Sequence, residues 1–367
     1  MSYAYERNDR IDVMKKQTAK RQGVEEMTLF GMEAEIRLGK KNQLMKLTQI
    51  LDWGRIEKIL EPLKGSGKGQ QPYDVLKMFK SILLGQWYSL SDPMLEESLR
   101  VRLDFMQFTG FELMEAVPDE TTLCRFRNEM SQRGMDKELF VEINRQLEEK
   151  NLKVKGCNGA IIDATVVESA ARPKRVIEEI VEDRQEEEME SQAEEKEPAE
   201  TQYRQTESCD PDARWLKKGN RCYFGYKGFM RVDDEDGYIE HVHAKSANES
   251  EVKELPALLN GVKDRRLYAD KAYASKTNDA QLSTAHIKNG IMSKASRGHP
   301  LNHWQKIRNR LISKVRFRVE QSFGTLKRRF HFHRASYFGI LKVETQMRLK
   351  AICYNLLKAA RKVEWAV

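Results

Sequence analysis

The sequence predicts an α+β protein, with an all-helical region ahead of a region of mixed strands and helices. Apolar residues recur at helical spacing between positions 72 and 149, whereas short strand-type apolar runs begin at Gly159. From Gly159 onward the predicted elements follow the order β, β-hairpin, α, β, α, β, α. This order is typical of an RNase H-like fold, so we expect a helical domain at 51–150 and an RNase H-like domain at 156–172 and 213–360.

The first fifty residues are polar and of mixed charge, which predicts a mobile N-terminal arm at 1–50 with a short helix near Glu33–Leu47. A second helix is expected from Trp53 to Leu63, ending before the glycine cluster Lys64–Gly69. This cluster lacks the spacing of a phosphate-binding loop and follows no apolar strand. We therefore interpret it as a linker.

The helical region begins at Pro72, which can open a helix with apolar residues at Val75, Leu76, Phe79, Ile82 and Leu83. Further helix starts are expected at Ser91 and Pro118. Short helices joined by tight turns suit a helix-turn-helix-like DNA-binding module. A plain helical bundle used for dimerisation fits the same pattern, so both roles stay open for 51–150.

The second region begins with the strand Ala160–Asp163, which ends in a carboxylate. The hairpin strands Tyr223–Val232 and Tyr238–His243 flank the turn at 234–237. The remaining elements are a helix at Ser250–Leu259, a strand that ends at Asp270, a helix at Thr277–Ala285, a strand at Ile287–Met292 and a basic helical region from about Trp304. Two of the predicted strands therefore end in an aspartate.

A Glu-rich stretch at 173–212 separates the first strand from the hairpin. From Val176 to Glu200 it has twelve acidic and two basic residues, a local charge of −10. Such a segment cannot bury much apolar surface, so we expect a helical or partly disordered acidic insertion. It either solubilises the surface or masks a basic face until DNA displaces it, and the sequence leaves both roles open.

Charge is distributed unevenly along the chain, whose net charge is +8. From Lys294 to Lys350 there are fifteen Lys and Arg against two Glu, a local net charge of +13. Such a concentration of positive charge is typical of a nucleic-acid binder. The chain has no apolar run of membrane-span length and no signal-peptide core, so a cytoplasmic location is expected. The paired histidines at 241/243 and 331/333 lack metal-ligand spacing and are interpreted as surface or DNA-facing residues.

Three carboxylates stand out by their settings: Asp163 and Asp270 at strand ends, and Glu320 inside the basic helical stretch. Two acids at strand ends and one on a later helix can converge on a divalent cation beside a phosphodiester. Mg²⁺ prefers hard oxygen ligands, and two such ions can activate a nucleophile and offset charge on the leaving oxygen. The simpler alternatives are strand caps, and for Glu320 a surface ion pair with Arg316.

These acids lie in motifs that resemble the DDE transposases of bacterial insertion sequences, specifically the insertion-sequence-five type within the four/five superfamily. The motifs are Gln71-Pro-Tyr73, Gln86-Trp-Tyr-Ser-Leu-Ser-Asp92, Pro118-Asp-Glu-Thr-Thr122, Ile162-Asp-Ala-Thr-Val166, Asp210-Pro-Asp-Ala-Arg-Trp215, Lys218-Gly219, Phe224-Gly-Tyr-Lys227 and Ala269-Asp-Lys-Ala-Tyr273. Arg316, Glu320 and Lys327 match the pattern Tyr-x2-Arg-x3-Glu-x6-Lys, with Ser313 where Tyr would stand.

The resemblance implies binding to terminal inverted repeats, cutting at the element ends and joining of the 3′-hydroxyls to target DNA. It implies that Asp163, Asp270 and Glu320 are the catalytic residues and hold Mg²⁺, with Mn²⁺ as a substitute. The implied DNA contacts are Arg316, Lys327, Arg318, Arg328, Arg329 and Lys227. A homodimer or larger assembly on nucleoid DNA is expected, because two ends must be cut together. The alternatives are a non-catalytic repressor derived from such an element and an RNase H-like nuclease.

Overall fold

The computed structural model describes residues 34, 36–39, 42–65, 72–171, 208–262 and 265–363. The helices in its N-terminal part are α1 Gln43–Ile50, α2 Trp53–Leu60, α3 Val75–Tyr88, α4 Asp92–Val101, α5 Leu103–Thr109, α6 Glu120–Gln132 and α7 Met135–Glu149. Asp52, Asp74 and Asp119 start α2, α3 and α6, because each side chain accepts a hydrogen bond from a first-turn amide. The all-helical prediction for this region is confirmed.

Six strands form one mixed sheet in the described chain: β1 Gly159–Glu168, β2 Arg214–Lys218, β3 Arg221–Asp233, β4 Ile239–Ser246, β5 Arg266–Ala269 and β6 Lys288–Ile291. The long strand β3 pairs antiparallel with β1 on one side and with β2 and β4 on the other. On its far side β1 pairs parallel with β5, which pairs parallel with β6. β1 and β3 are therefore the central strands.

The helices of the C-terminal part are α8 Leu255–Leu259, α9 Lys276–Thr284, α10 His303–Arg328 and α11 Ile340–Lys362. α10 begins with a capping box between Asn302 and Gln305 and packs across β1 and β5. α11 packs against β4 and also against α1, α3 and α7. Because α11 is buried along most of its length, it joins the helical region and the sheet in one core. No described helix has the length and hydropathy of a membrane span.

The last residues of the acidic stretch at 173–212 fix the start of α11. Asp210 is 1% exposed and accepts hydrogen bonds from the Tyr226 hydroxyl and the Gly339 amide. Asp212 accepts a hydrogen bond from the Ile340 amide at 2.8 Å. The Asp-Pro-Asp motif therefore caps the helix and anchors this end of the insertion to β3.

Several elements differ from the sequence-based expectations. α1 buries Leu44 and Leu47 in the core, so this part of 1–50 is packed, while residues 1–33 and the insertion residues 173–207 lie outside the described chain. β1 continues five residues past Asp163, because β3 pairs with it as far as Glu168. β2 was not predicted at all. Its five residues alternate too little in hydropathy to mark a strand.

The expectation that the histidine pair at 241/243 faces the surface or DNA is wrong for His243. This side chain is 7% exposed, and its Nε2 lies 3.0 Å from Glu254. Its ring also stacks on Phe229 at a centroid separation of 4.9 Å. Burial lowers its pKa to about 4, so His243 is a neutral core residue at physiological pH.

Candidate active site

Asp163 lies in the middle of β1, and Asp270 directly follows β5. These two strands run parallel, with Ile161 opposite Tyr268. The same register carried two residues further places Asp163 opposite Asp270. Side chains at the same register of adjacent parallel strands point to the same face of a sheet. Two carboxylates from distant parts of the sequence therefore lie side by side.

The guanidinium of Arg316, on α10, lies between these two aspartates. Its Nη2 donates to Oδ2 of Asp163 at 3.0 Å, and its Nη1 lies 3.6 Å from Oδ1 of Asp270. Arg316 is 9% exposed, and its Nε is buried with no hydrogen-bond partner among the described residues. Arg316 is thus the internal counter-ion of both carboxylates.

The electrostatic setting of Asp163 favours a nearby cation. Burial raises the pKa of Asp163 above its ordinary value, and the charges of Glu251 and Asp270 raise it further. Arg316 and the Ala164 amide act in the opposite direction. A buried carboxylate beside a second carboxylate stays ionised only when positive charge compensates it. The site is therefore one that binds positive charge.

Glu320 lies one helical turn after Arg316 on α10, and its side chain is exposed. Along the helix axis the two Cα atoms are about 6 Å apart. Within the described residues, no group of three or more His, Cys, Asp or Glu side chains is arranged to hold a metal ion. The structure thus brings Asp163 and Asp270 together and leaves Glu320 on the neighbouring helix turn, outside that pair.

The donor chemistry of the aspartate pair fits a divalent metal ion. Asp163 and Asp270 offer hard carboxylate oxygens, the ligands that Mg²⁺ prefers. A single positive group already bridges them, so the pair can share a cation. The unpartnered buried Nε of Arg316 shows that the guanidinium is not fully satisfied in this position.

The basic residues on α10 and just after it differ in exposure. Arg328 and Arg329 are exposed at the end of the helix. Arg318 donates to a backbone carbonyl in the β3–β4 turn at 3.2 Å. Lys327 is half-buried, and burial lowers its pKa, as does the nearby charge of Lys218. Four of the predicted DNA contacts therefore lie together on the second half of α10 and the residue that follows it.

Lys227 does not belong to this group. It is 8% exposed, and its Nζ donates to the Glu249 carbonyl at 2.8 Å and lies 3.6 Å from Glu251. An ammonium buried with these partners stabilises the turn after β4. The structure gives Lys227 an internal role, apart from the exposed cations at the end of α10.

Tyr273 belongs to the surroundings of Asp163 and was not singled out from the sequence. Its side chain is fully buried, and its hydroxyl has no hydrogen-bond partner among the described residues. Burial raises its pKa well above the ordinary value, and Glu251 and Asp163 add to this. A signal was available, because Tyr273 closes the Ala269–Tyr273 motif that contains the second acid.

Two family descriptions match the chain. Residues 32–129 match a "Transposase domain (DUF772)", and residues 158–356 match a "Transposase DDE domain". The second match spans more than half of the 367 residues. It includes Asp163, Asp270, Arg316 and Glu320, and therefore the whole candidate site.

A curated relative is the transposase for insertion sequence element IS1106 of Neisseria meningitidis serogroup B. The two sequences are 44% identical over 240 residues, which cover 65% of this chain and 78% of the relative.

Two solved structures were also matched. The piggyBac transposase synaptic complex with hairpin DNA has a TM-score of 0.43 at 11% identity, covering 89% of this chain and 76% of that one. The Mos1 strand transfer complex has a TM-score of 0.18 at 13% identity, covering 71% of this chain and 81% of that one. The family matches and the relative from Neisseria show that the chain belongs to the DDE transposases of bacterial insertion sequences, which are metal-dependent DNA-cutting enzymes.

Proposed function

We propose that the chain binds the terminal inverted repeats of an insertion sequence, cuts DNA at the element ends and joins the 3′-hydroxyls to target DNA. The observation that carries this proposal is the pair Asp163 and Asp270, side by side under Arg316 within the DDE domain. Phosphoryl transfer requires an activated oxygen nucleophile and compensation of negative charge at phosphorus. A partly buried acidic pair that held a divalent cation would meet both requirements.

We assign the sheet to the RNase H-like class, as the sequence order predicts. Strand β1 lies between an antiparallel partner, β3, and a parallel partner, β5, and β6 extends the parallel side. This order supports the assignment, because the first strand is then central and its acid is adjacent to the acid after the next parallel strand. The insertion-sequence-five subtype stays a prediction from the motifs.

Asp163 and Asp270, joined by Glu320, would hold Mg²⁺, with Mn²⁺ as a substitute. When bound, such an ion activates the attacking oxygen and offsets charge on the leaving oxygen. The chain's own residues would position the DNA. Arg316 presents a planar fork of donors that suits a phosphate next to the reacting bond. Tyr273 is fully buried near Asp163.

The DNA is proposed to run along the second half of α10 and the residue after it, where Lys327, Arg318, Arg328 and Arg329 offer positive charge. Such contacts neutralise phosphates and set the register of the duplex without specifying sequence. For the helical region we propose DNA binding or dimerisation, and a homodimer on DNA, because both element ends must be cut in one event.

The test is cleavage of a plasmid that carries the two flanking repeats, incubated with Mg²⁺ or with EDTA. Wild type, Asp270→Asn and Glu320→Gln are compared with the matched control Asp279→Asn, an exposed aspartate on α9. We expect metal-dependent cuts at the repeat ends in wild type and control, and at least about a hundredfold less cutting in the other two. Unchanged cutting in Asp270→Asn would remove that residue from the proposed site.

The same assay separates the two alternative functions. A repressor derived from an element binds the repeats but produces no cuts in Mg²⁺. An RNase H-like nuclease cuts without joining, so the plasmid supplied as a target stays free of inserted ends. Products that carry the element ends joined to target DNA are expected from a transposase alone.

A further inference from the structure

We propose that the β2–β3 hairpin is a binding site for an unpaired DNA nucleotide, with Trp215 as the surface on which its base stacks. The inference rests on the proposed function only in taking DNA as the ligand. The hairpin lies outside the acidic pair and contributes none of the residues assigned to it.

Trp215 is 55% exposed on the edge strand β2. Phe224 of β3 lies directly opposite it, with ring centroids 5.3 Å apart. Lys217 lies opposite Cys222 on the same two strands. Because side chains alternate along a strand, these four residues share one face of the hairpin. A large exposed indole supported by a second ring is the type of platform on which unstacked bases pack.

Beside this platform is an open cavity of about 590 Å³. Its lining includes Trp215, Phe224, Tyr223, Arg221 and Arg334. A volume in this range is typical of sites for small ligands of nucleotide size. The charge is also suitable, because two arginines line the cavity, whose only described carboxylate is that of Glu168.

The hairpin lies at the end of a path that starts at the acidic pair. From Asp163 to Glu168, β1 covers roughly 16 Å, and Glu168 pairs with Gly225 of β3, which pairs with Arg214 of β2. α10 covers a similar distance from Arg316 to Lys327, roughly 16 Å. The charges of Lys218 and Glu168 both act on Lys327, so the hairpin lies near enough to the end of α10 to influence this lysine.

This distance sets where on the DNA the nucleotide would lie. A stacked strand advances about 3.4 Å per nucleotide, so roughly five nucleotides separate the cut from the hairpin, and fewer if the strand is extended. A duplex keeps its base faces stacked inside the helix and offers phosphates and groove edges to a protein. Stacking on Trp215 therefore requires a nucleotide that is unpaired near the element end.

The first test measures binding of the full chain in EDTA to two fluorescent probes, an oligothymidine of about 20 nucleotides and a blunt duplex of the same length. Trp215→Ala is expected to weaken oligothymidine binding about tenfold or more and duplex binding by less than about twofold. Trp215→Phe should stay within about threefold of wild type. The control Trp304→Ala removes an indole that is 76% exposed on α10 and should leave the ratio of the two affinities unchanged. Wild-type affinity of Trp215→Ala for the oligothymidine would overturn the proposal.

A second measurement uses Cys222, an exposed thiol that lines the cavity. In a Cys209→Ser background, which removes the other exposed cysteine of the described chain, alkylation of Cys222 by a maleimide is followed by mass spectrometry. Saturating oligothymidine should slow the reaction about fivefold or more, as expected for a thiol covered by a bound base. An unchanged rate contradicts the proposal even if Trp215→Ala is unstable.

Neither measurement requires catalysis. Failure of the plasmid assay together with protection of Cys222 would leave the nucleotide site in place and reject the transposition chemistry. Metal-dependent cutting in wild type, together with unprotected Cys222, would support the transposition chemistry and reject the nucleotide site.

Discussion

Nη2 of Arg316 donates a hydrogen bond to Oδ2 of Asp163 at 3.0 Å, between residues 153 positions apart in the sequence. The same guanidinium lies 3.6 Å from Asp270. Without a metal ion, this arginine supplies the positive charge beside the two partly buried carboxylates. The pair therefore already has an internal positive charge, and we expect a metal ion to compete with it.

Substitution of Arg316 by Ala should increase the rise in unfolding temperature that Mg²⁺ produces. The two aspartates then repel each other, so a divalent ion gains more on binding than it does in wild type. A tenfold gain in Mg²⁺ affinity corresponds to about 1.4 kcal/mol, or roughly 2 °C for a chain of this size. Thermal unfolding with and without Mg²⁺, compared within each variant, measures the difference.

The matched control for this prediction is Arg310→Ala, which removes an exposed arginine from the same helix. Its response to Mg²⁺ should equal that of wild type. If Arg316→Ala also responds as wild type does, the arginine does not compete with metal at the aspartate pair.

Lys327 and Lys227 should differ in how they affect the salt dependence of DNA binding. A lysine that contacts phosphate adds close to one unit to the slope of log affinity against log salt. Lys327→Ala should therefore reduce this slope by about one. Lys227→Met should leave the slope unchanged and lower stability instead, because Lys227 is 8% exposed and bonded to the Glu249 carbonyl. Titrations of duplex at several salt concentrations measure both slopes. An equal reduction of the slope in the two variants would argue against a phosphate contact by Lys327 alone.

Asp136→Ala should destabilise the chain by about 2–3 kcal/mol. Asp136 is 1% exposed on α7 and accepts hydrogen bonds from Arg348 and Thr345 of α11. Its loss leaves Arg348, which is 4% exposed, with Glu344 as the remaining ion-pair partner among the described residues. Urea unfolding gives the free energy of unfolding.

The control for this pair is Glu129→Ala, which removes the exposed Arg133–Glu129 ion pair of the helical region. An exposed pair of this kind is worth less than about 1 kcal/mol. Similar small losses in both variants would show that the contact between α7 and α11 contributes little to folding.

Acid should destabilise the protein through His241. Burial and, second to it, the charge of Arg231 lower the pKa of His241 to about 3. An unfolded histidine titrates near 6.5, so the unfolded chain binds an extra proton between about pH 6.5 and pH 3. The contribution of neutral His241 to the free energy of unfolding is complete above pH 6.5. It is lost as the pH falls through that range. Unfolding temperatures near pH 7.5 and pH 5 should differ by about 2 °C or more from this residue.

His241→Gln keeps a polar side chain that does not titrate. The acid-induced loss of stability should be smaller in this variant than in wild type. A loss of the same size would place the acid sensitivity elsewhere in the chain.

The sequence by itself determined the local structure and the candidate residues. Helical spacing and aspartate caps define the helices from Trp53 to Glu149, because these signals act within a few residues. The motifs identified Asp163, Asp270 and Glu320, and the charge count identified the basic helix that became α10. The Asp-Pro-Asp motif was found in the same way, although its capping role became visible only in three dimensions.

Only the tertiary structure decided which of these groups meet. The adjacency of Asp163 and Asp270 depends on the parallel pairing of β1 with β5, and no local pattern encodes the register of strands so far apart. Burial is likewise a property of the whole fold. It turned Lys227 from a predicted DNA contact into an internal cation, and it brought Arg316 between the two acids. The fold also exposes a residue that the sequence alone would place inside. Trp215, of a type that is usually largely buried, lies exposed on an edge hairpin beside a cavity.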